Sequence, residues 1–404
     1  MIILCINSGS SSIKYQLFDM DGEVCLAKGL LDKLNMEKSS LSHEAIGKAK
    51  YEIETDSLNY ESALKLAIDA LLDSNHGVIN STEEIAAVGH RVVHGAEKFS
   101  ESTIITEEVE ATIKECFPLA PLHNPPNFMG ISACKHIFPN IPHVAVFDTA
   151  FHQTMPEHAY LYAIPYNLYK EHSIRRYGFH GTSHRYVANR AAQLLGPSLE
   201  SLKIITCHLG NGCSIAAVSK GKSVDTSMGL TPLEGLVMGT RSGDIDPALV
   251  FFLMEKLEMT YQQVDNLLNK ESGLLGLSEN SQDVRDLIKS SKNGDRQSKL
   301  ALTIFCYRVK KYIGAYAAAM GGIDAVIFTA GIGENESEIR EDICDGLEFM
   351  GIELDSEKNK SEQREKFINT ENSQVNILVV PTNEELLIAR DTLEVVSGLH
   401  TGKE

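Results

Sequence analysis

The chain has 404 residues, of which 43% are hydrophobic and 23% are charged, and its formal net charge is −18. This length allows two or three domains with separate cores. The acidic balance excludes proteins that bind nucleic acid through a basic face and proteins that dock on anionic membranes, but it permits a small anionic substrate where basic residues gather locally.

The cysteine pattern and the N-terminus indicate a compartment. The eight cysteines show no C-x-x-C spacing, which is typical of free thiols in a reducing environment. The first apolar run is only five residues long and no basic segment precedes it, so we expect no signal peptide. No apolar stretch is long enough to span a bilayer. The sequence therefore predicts a cytoplasmic protein with neither a membrane nor a nucleic acid as partner.

A strand, a polar turn and a second strand open the chain. The turn runs from Asn7 to Ser12, contains only Asn, Ser and Gly, and is followed two residues later by Lys14. Such turns expose backbone N–H groups, and their small hydroxyls let a phosphate approach. Taken alone, this sequence also fits an ordinary hairpin turn.

The next segments are predicted from their periodicity. Residues 32–58 are polar and weakly patterned, which predicts a surface excursion, and Tyr60 to Leu72 has helical spacing. The β-branched run from Ile85 predicts a strand that ends in a glycine loop. His90 and His94 in this strand would lie ~13 Å apart, so we expect no zinc site there.

Polar residues then follow a proline-rich loop and a buried strand. Residues 118–126 form the loop and carry His123 and Asn124, and Asp148 follows the apolar strand His143–Phe147. Open α/β folds place their chemistry at the carboxyl ends of strands. We expect a domain boundary near residue 150.

The second half of the chain repeats the opening hairpin. Thr182 or Ser183 is predicted to cap a helix that ends before Gly196. After it, residues 204–215 match the start of the chain without a gap at an offset of 202. The identical residues at this offset are Ile2, Ile3, Cys5, Ser12 and Ile13. The match suggests two related domains that each offer a phosphate-binding hairpin to one cleft, although two short hairpins can resemble one another by chance.

Glycine loops and strands alternate to the end of the chain. The long loop of residues 227–247 is too apolar for a disordered segment, and a helix is predicted over residues 298–320. The strand of residues 324–329 runs into a third glycine loop, where Asn335 and Glu338 suggest a capping box. A last strand over residues 375–380 precedes Thr382, which is predicted to cap the closing helix. Alternating strands and helices predict an α/β fold.

The predicted strand ends collect two arginines, several histidines, glycine turns and carboxylates. The chain has no G-x-S-x-G elbow, no P-loop and no protein-kinase signature. Phosphoryl transfer needs positioning, cations and a metal rather than covalent chemistry, and these residues can supply the first two. Taken singly, Arg91 fits a surface ion pair better than a catalytic role. Asp148 could equally cap a helix, His180 could equally be a packing residue, and Arg241 could equally hold its loop together. Their common position at strand ends of two related halves favours the functional interpretation.

Together these loops resemble the acetate kinase family of the acetate and sugar kinase/Hsp70/actin superfamily. The matching stretches cover nearly the whole chain in order, at residues 7–12, 89–95, 147–152, 177–184, 208–212, 238–244, 329–335 and 381–385. The resemblance implies two duplicated actin-like, ribonuclease H-like domains around a central nucleotide cleft. Residues 1–149 with 385–404 would form the N-terminal acetokinase domain, including a returning C-terminal helix. Residues 150–384 would form the C-terminal domain, which binds the nucleotide. The protein would be a homodimer.

The resemblance also implies the reaction and its partners. The γ-phosphoryl group of ATP would pass reversibly and in line to acetate, giving acetyl phosphate and ADP. Two arginines and Mg²⁺, with Mn²⁺ as a possible substitute, would stabilise the transfer. The catalytic residues implied are Arg91, Asp148, His180 and Arg241. The phosphate contacts implied are Ser10, Ser12, His123, His180 and Arg241, and the metal contacts are Asn7 and Glu384.

Two further sets of residues follow from the same resemblance. An apolar pocket for the acetate methyl group would be formed by Val93, Leu122, Phe179 and Pro232, with Arg91 holding the carboxylate. The nucleotide would be bound by Lys14, His208, Leu209, Gly210, Asn211, Gly212, Asp283, Val284, Arg285, Gly331, Ile332, Gly333 and Asn335. One residue departs from the family pattern, because Ala96 stands where the family usually has a second glycine after His94-Gly95. If this position needs a positive φ, alanine would strain it.

Three alternatives stay open. A propionate or butyrate kinase would differ only in its acid pocket. An actin-like or Hsp70-like ATPase would share the duplicated hairpins but would not need two arginines and an apolar pocket beside the γ-phosphate. A covalent phosphoenzyme through His180 or Glu384 would transfer the group in two displacements.

Overall fold

The computed structural model describes residues 1–398, which form two compact units. The first unit comprises Met1–Phe151 together with the chain from Asn383 onward, and the second comprises His152–Thr382. The predicted domains, 1–149 with 385–404 and 150–384, stay a prediction. Their last residues, 399–404, lie outside the described part of the chain.

A mixed sheet is the centre of the first unit. Its strands are β1 (Ile2–Ser8), β2 (Ser12–Asp19), β3 (Val24–Asp32), β4 (Lys38–Ala45), β5 (Tyr51–Asp56), β6 (Ile85–Val92), β7 (Thr103–Ile104) and β8 (His143–Phe147). They lie in the order β5-β4-β3-β2-β1-β6-β8-β7. Strands β1, β6 and β8 are parallel, so their carboxyl ends share one edge of the sheet.

Helices cover the sheet of the first unit. They are α1 (Tyr60–Leu72), α2 (Glu107–Glu115), α3 (Asn124–Ile137) and, from the end of the chain, α15 (Glu384–Val396). Leu4 and Ile6 of β1 share a core with residues of α1 and α3. Cys5, on the opposite face of the strand, contacts the carbonyl of Glu385 in α15. A β-carbon at Gly89 would lie 2.4 Å from Thr392 Oγ1, which shows how closely α15 packs on β6.

The predicted surface excursion over residues 32–58 is wrong, because β4 and β5 extend the sheet there. Alternate residues of β4 are buried, among them Ser39, Leu41 and His43. Two of these three buried side chains are polar, so the hydrophobicity of the sequence does not alternate as it usually does in a half-buried strand. His43 is accommodated because its ring hydrogen-bonds to Tyr15 Oη at 2.6 Å and to the carbonyl of His76 at 3.1 Å.

The second unit contains a shorter sheet and more helices. Its strands are β9 (Lys203–Leu209), β10 (Cys213–Ser219), β11 (Lys222–Thr226), β12 (Ala325–Thr329), β13 (Lys366–Phe367) and β14 (Asn376–Val379). Its helices are α4 (Glu157–Tyr160), α5 (Tyr166–His172), α6 (Gly181–Leu195), α7 (Ala248–Lys256), α8 (Tyr261–Lys270), α9 (Gly273–Ser278), α10 (Val284–Lys292), α11 (Arg296–Met320), α12 (Ala330–Asn335), α13 (Ser337–Cys344) and α14 (Ser356–Lys360).

The two sheets repeat one topology. The second sheet has the order β11-β10-β9-β12-β14-β13, and the order β3-β2-β1-β6-β8-β7 in the first unit matches it strand for strand. In both, the first three strands pair antiparallel, the next two pairings are parallel and the outer strand is antiparallel. The predicted α/β class and the duplication of the fold are confirmed.

The two hairpin turns differ by one residue. Ser8 pairs with Ile13 in the first hairpin and leaves four residues between them, whereas Leu209 pairs with Cys213 in the second and leaves three. The gapless offset of 202 therefore cannot match both strands of the hairpins at once. The duplication is correct, but the identities at Ser12 and Ile13 do not mark equivalent positions once the first strands are aligned.

Three predicted helix caps are wrong. Helix α6 begins at Gly181 after His180, which has a φ of 55°, so Thr182 and Ser183 already lie in the first turn. Asn335 ends α12, and α13 starts at Ser337 without a side-chain cap, so there is no capping box with Glu338. Asn383 rather than Thr382 caps α15, because its side chain accepts from the N–H of Leu386 at 3.1 Å.

Candidate active site

In the first unit, charged residues gather where the parallel strands end. Arg91 lies on β6, Asp148 directly follows β8, and Glu384 is the first residue of α15. The guanidinium of Arg91 donates to both carboxylate oxygens of Asp148, at 3.0 Å from Nε and 2.5 Å from Nη2. Its Nε lies 3.8 Å from Glu384 Oε2, and its Nη1 donates to Asn7 Oδ1 at 3.4 Å. The fold thus brings four predicted residues together.

Burial and charge set the protonation of this cluster. Burial alone would lower the pKa of Arg91, but the Asp148 and Glu384 carboxylates more than offset it and raise this pKa. Burial raises the pKa of Glu384 to about 7, with Asp148 adding to the shift and Arg91 opposing it. The Asp148 side chain is only 1% exposed, so its ion pair with Arg91 is a buried one. Glu384 is the carboxyl group that changes charge near neutral pH.

The oxygen atoms of this cluster fit a hard divalent cation. Asn7 Oδ1 and the Glu384 carboxylate are the ligand types that Mg²⁺ prefers. Within residues 1–398, no three His, Cys, Asp or Glu side chains form a metal-binding group. Mg²⁺ commonly binds through one or two protein oxygens together with waters and substrate phosphates, and the residues present are compatible with that mode.

Residues 9–12 join β1 to β2 and are here called the serine turn, and two hydrogen bonds fix their backbone. The N–H of Gly9 donates to the carbonyl of Ser12 at 2.7 Å, and Tyr60 Oη donates to the carbonyl of Gly9 at 2.6 Å. Ser10 is exposed and Ser12 is half-buried, so both hydroxyls can reach solvent. Lys14, also exposed, lies opposite Asn7 in the hairpin register.

Three further predicted residues of this unit have separate positions. His123 is half-buried and immediately precedes α3. Val93 follows the end of β6 and is 4% exposed, whereas Leu122 is 57% exposed. Of the two predicted pocket residues in this unit, only Val93 is therefore packed inside it.

In the second unit, four polar side chains form a connected network at the start of α6. The rings of His180 and His208 stack with their centroids 4.2 Å apart. His180 Nδ1 hydrogen-bonds to Ser214 Oγ at 2.9 Å, and His208 Nδ1 hydrogen-bonds to Ser183 Oγ at 2.8 Å. The left-handed backbone of His180 is uncommon for a residue with a β-carbon, and such conformations concentrate at functional sites.

A buried histidine supports this network. His184 hydrogen-bonds through Nε2 to Ser214 Oγ and through Nδ1 to Thr206 Oγ1, both at 2.7 Å. Burial, reinforced by the neighbouring His152 and His208, lowers the pKa of His184 well below its ordinary value. His184 is therefore neutral at physiological pH.

Arg241 differs from Arg91 in its surroundings. Its Nη1 donates to the carbonyl of Pro232 at 3.0 Å, and no carboxylate of residues 1–398 lies within ion-pair distance of it. Burial lowers the pKa of Arg241. A β-carbon at Gly212 would lie 3.6 Å from both Arg241 Nη1 and His180 Cε1. The turn between β9 and β10 therefore approaches the Arg241 and His180 side chains at Gly212, which has no side chain.

A cavity of about 520 Å³ is bordered by Gly210 and Asn211 of the same turn. Its walls are Gly210, Asn211, Gln282, Asp283, Val284, Arg285, Gly331, Ile332, Asn335 and Glu336. Eight of these ten were predicted to contact the nucleotide, and the fold brings them together from four separate stretches of sequence. Arg285 is held in place by Asp283, whose carboxylate accepts from its Nη2 at 2.6 Å.

Comparisons with known proteins decide the family. A family model described as the Acetokinase family matches residues 2–390. The chain is 59% identical to the acetate kinase of Halothermothrix orenii over 398 residues, which is 98% of this chain and 100% of that protein. The crystal structure of Porphyromonas gingivalis acetate kinase superposes with a TM-score of 0.93 at 49% identity, covering 98% of this chain and 99% of that one. The chain belongs to the acetokinase family.

A further solved structure belongs to a propionate kinase from Francisella tularensis, with a TM-score of 0.91, 44% identity and coverage of 98% of this chain and 99% of that one. Membership of the acetokinase family confirms the resemblance and makes the chain an enzyme, a phosphotransferase with a carboxyl group as acceptor. In general it implies ATP as the donor and a divalent metal ion with it. No helix within residues 1–398 combines the length and apolarity needed to cross a bilayer.

Some predicted nucleotide contacts of this acetokinase do not line the cavity, and some cavity residues were missed. Leu209 is fully buried, and a β-carbon at Gly333 would lie 3.3 Å from the carbonyl carbon of Phe328. Neither residue lines the cavity. Gln282 and Glu336 line the cavity but were not predicted. They are sequence neighbours of Asp283 and Asn335, and that adjacency was the signal available.

The departure at Ala96 has the predicted consequence. Ala96 has a φ of 52°, in the left-handed region that favours glycine. Its N–H donates to His94 Nδ1 at 3.0 Å. Gly95 has no positive φ, but a β-carbon there would lie 2.7 Å from Phe147 Cδ1. The loop thus needs one glycine for space and contains an alanine where the backbone favours another.

Proposed function

We propose that this chain catalyses the reversible transfer of the γ-phosphoryl group of ATP to acetate in one in-line displacement, giving acetyl phosphate and ADP. The observation that carries the proposal is Arg241, a half-buried guanidinium without a carboxylate partner. It adjoins the turn that also borders the 520 Å³ cavity. A buried cation without a counter-charge is costly, and a phosphate at the turn would offset that cost.

The second unit offers a continuous path for a nucleotide. With the adenosine in the cavity between Asp283 and Gly331, the phosphates would run along Gly210–Gly212 towards Arg241 and His180. The glycines allow close approach to backbone N–H groups. His180 is held by Ser214 and by its stack on His208, so it can donate a hydrogen bond without reorganising.

The first unit would receive the acid and the metal. Acetate is ionised at neutral pH, so no base needs to remove its proton, but its charge repels the phosphates. We assign Arg91 to bind the acetate carboxylate and, with Arg241, to stabilise the charge on the transferring group. Asp148 orients Arg91, and Val93 contacts the methyl group. Mg²⁺ would be held by Asn7 and Glu384 and would supply charge neutralisation of the phosphate oxygens.

An assay with three acids tests this function. Acetyl phosphate formed from ATP and acetate is trapped with hydroxylamine as the hydroxamate. We expect a higher kcat/KM with acetate than with propionate or butyrate. A higher value with propionate would favour the second candidate, a propionate kinase, which the 44% identity to the Francisella tularensis enzyme supports. ATP hydrolysis that does not depend on any acid would instead indicate an ATPase module.

The stereochemistry at phosphorus separates direct transfer from a phosphoenzyme. With ATP that is chiral at the γ-phosphorus, a single displacement inverts the configuration, and two displacements through His180 or Glu384 would retain it. We expect inversion, because Arg91, Arg241 and the glycine turn act by positioning and charge rather than by bond formation.

We further propose that the chain forms a homodimer through α7. No residue of this helix is buried, and Leu249, Phe251, Phe252 and Met254 are exposed. An apolar patch of this kind on a chain of charge −18 marks an interface rather than an ordinary surface. A second copy of the chain would cover this apolar patch. Light scattering on Phe251→Glu should give the monomer mass, and an unchanged dimer mass would place the interface elsewhere.

The two compact units are proposed as the two acetokinase domains, and the cytoplasm as the location. All eight cysteines are free thiols, which is compatible with a reducing compartment. Cell fractionation tests the location, and expression of the second unit alone with ADP binding as readout tests the domain assignment.

A further inference from the structure

Asn127 bridges the ends of two strands that carry the proposed site. The main-chain pairing of β1 with β6 stops at Ile6 and His90. Beyond that point the Asn127 side chain lies between the strands: the N–H of Val93 donates to its Oδ1 at 3.0 Å, and its Nδ2 donates to the carbonyl of Ser8 at 2.7 Å. The amide thus replaces a direct bond between the strands.

Both ends of this bridge are adjacent to proposed substrate contacts. Ser8 directly precedes the serine turn with Ser10 and Ser12, and Val93 lies two residues beyond Arg91. Asn127 is 4% exposed, so no water competes freely for its hydrogen bonds. A shift of this amide would therefore move the turn and the acid-binding strand relative to each other.

Helix α3 presents Asn127 rigidly. Pro125 and Pro126 occupy its first turn and fix the backbone there. One turn later, a β-carbon at Gly130 would lie 2.0 Å from Ser8 Oγ, so the helix contacts the end of β1 at a residue without a side chain. The Ser8 hydroxyl is buried and has no hydrogen-bond partner within the described residues. This contact is therefore a packing contact, and the polar link between helix and strand is the amide.

We propose that Asn127 is a positioning residue that sets the spacing between the serine turn and the end of β6, where Arg91 and Val93 lie. The inference rests on the proposed phosphoryl transfer to acetate, and it assigns to Asn127 both the alignment of the acid with the phosphoryl group and the placement of the wall of the methyl pocket. Asn127 contacts no substrate in this role. It acts only through Ser8 and Val93.

The same helix contains a matched control. Asn124 is fully buried and makes the same kinds of bonds, accepting from the N–H of His94 at 3.0 Å and donating to the carbonyls of His94 and Ile113 at 2.9 and 3.2 Å. It has no bond to β1 or the serine turn. A variant at Asn124 thus removes comparable buried hydrogen bonds without breaking the bridge.

The experiment compares Asn127→Asp with Asn124→Asp in the full-length protein. Each aspartate keeps the acceptor oxygen and loses the donor, so both variants should lower the melting temperature to a similar extent. Only Asn127→Asp should lower kcat by roughly 10- to 100-fold, because a displacement of ~1 Å can cost that much in an aligned reaction. It should also shift the propionate-to-acetate ratio of kcat/KM by at least about threefold. Equilibrium binding of ADP should stay within about threefold of wild type, because the cavity residues belong to the second unit.

Each outcome is decisive. Equal losses of kcat in both variants, or wild-type kcat and selectivity in Asn127→Asp, would overturn the positioning role. If Asn127→Asp does not fold, Asn127→Ser, which introduces no buried charge and can bond to only one of the two partners, is judged by the same criteria. Wild-type protein without acetate-dependent activity in the same assay would reject the proposed function itself, independently of Asn127.

Discussion

The two halves of this acetokinase share one sheet topology but differ in the charge that surrounds their arginines. In the first half, Arg91 is held by Asp148 and lies beside Glu384, and the serine turn of this half has four residues between the paired strand ends. In the second, Arg241 has no carboxylate partner within the described residues and adjoins a Gly-Asn-Gly turn that is one residue shorter. The duplicated fold thus contains Arg91, whose charge is balanced by a carboxylate, and Arg241, whose charge is not. The difference suggests a division of labour, with the acid and metal on one half and the nucleotide phosphates on the other.

The largest expected effects come from replacing each arginine by alanine. Both replacements should lower activity, but only one of them should lower stability. Both variants should lose roughly two to four decades of kcat, because a cation that stabilises a transition state contributes on the order of 3–5 kcal/mol. Their stabilities should diverge. Arg91→Ala leaves Asp148 and Glu384 buried without their cation and should lower the melting temperature, whereas Arg241→Ala removes an uncompensated charge and should not.

Kinetics and thermal unfolding of both variants check this comparison. Arg→Lys at either position should restore only part of the activity, because lysine cannot form a planar bidentate contact. Near-wild-type turnover in either alanine variant would remove that arginine from the catalytic set. Equal destabilisation by the two substitutions would contradict the proposed difference in charge balance.

Val93→Ala should test whether the first half determines which carboxylic acid is the preferred substrate. The smaller side chain opens room for one more carbon, and a methylene in an apolar pocket is worth about 1–3 kcal/mol of discrimination. The ratio of kcat/KM for propionate to that for acetate should rise by roughly 10-fold, mostly through KM.

Val92→Ala is the matched control for this prediction. Val92 is fully buried and packs in a core with Ile131 and Phe147, on the other face of the strand. It should destabilise the protein by ~1–3 kcal/mol without changing the acid preference. If Val93→Ala behaves in the same way as Val92→Ala, the pocket is elsewhere.

The affinity for a divalent metal ion should depend on pH through Glu384, which lies in the first half. Its pKa of about 7 means that the carboxyl group is protonated below neutral pH, and a protonated carboxyl group cannot bind a metal. The affinity for Mn²⁺ should therefore fall by up to about 10-fold from pH 7 to pH 6. The dependence should disappear in Glu384→Gln.

The same group has an opposite effect on stability. A carboxyl group whose pKa rises on folding stabilises the protein in its protonated form, so this contribution is present below its ordinary pKa of 4.5 and lost as the pH rises to about 7. The difference in unfolding free energy between wild type and Glu384→Gln, measured from pH 4.5 to pH 8, should follow this course. A flat difference would show that folding does not raise the pKa of Glu384.

The smallest expected effect concerns Ala96, which lies in the loop after Arg91. Ala96→Gly should relieve a left-handed backbone that costs alanine ~1–2 kcal/mol, offset by ~0.4–1 kcal/mol of chain entropy. The net gain in stability should be about 0.5–1 kcal/mol. Gly95→Ala should instead destabilise the protein, because its β-carbon would meet the ring of Phe147. A loss of stability in Ala96→Gly, measured by chemical denaturation, would contradict the strain.

The sequence was most informative where the hydrophobic pattern alone sets the structure. Helix α1 and strand β8 have the predicted limits, because their core residues are apolar and regularly spaced. Strand β4 was missed because Ser39 and His43 occupy its buried face. The predicted cap of α6 failed because His180 enters the helix in a left-handed conformation, which no propensity for Ser or Thr can reveal.

The candidate site was predictable to the extent that loops at strand ends could be recognised. Arg91, Asp148 and Asn7 meet because three parallel strands end together. The bridge by Asn127 could not be foreseen. It depends on where α3 packs against β1, and that position is set by Gly130, a residue with no side chain to form a motif.

A crystal structure with ADP, acetate and a planar phosphoryl mimic tests the central claim most directly. The account predicts adenosine in the cavity between Asp283 and Gly331, with the planar group within hydrogen-bond distance of Arg241 and His180. The acetate carboxylate should be bound by Arg91. A planar group that contacts neither Arg241 nor His180, or one covalently attached to a side chain, would contradict direct transfer stabilised by the unpaired arginine of the second half.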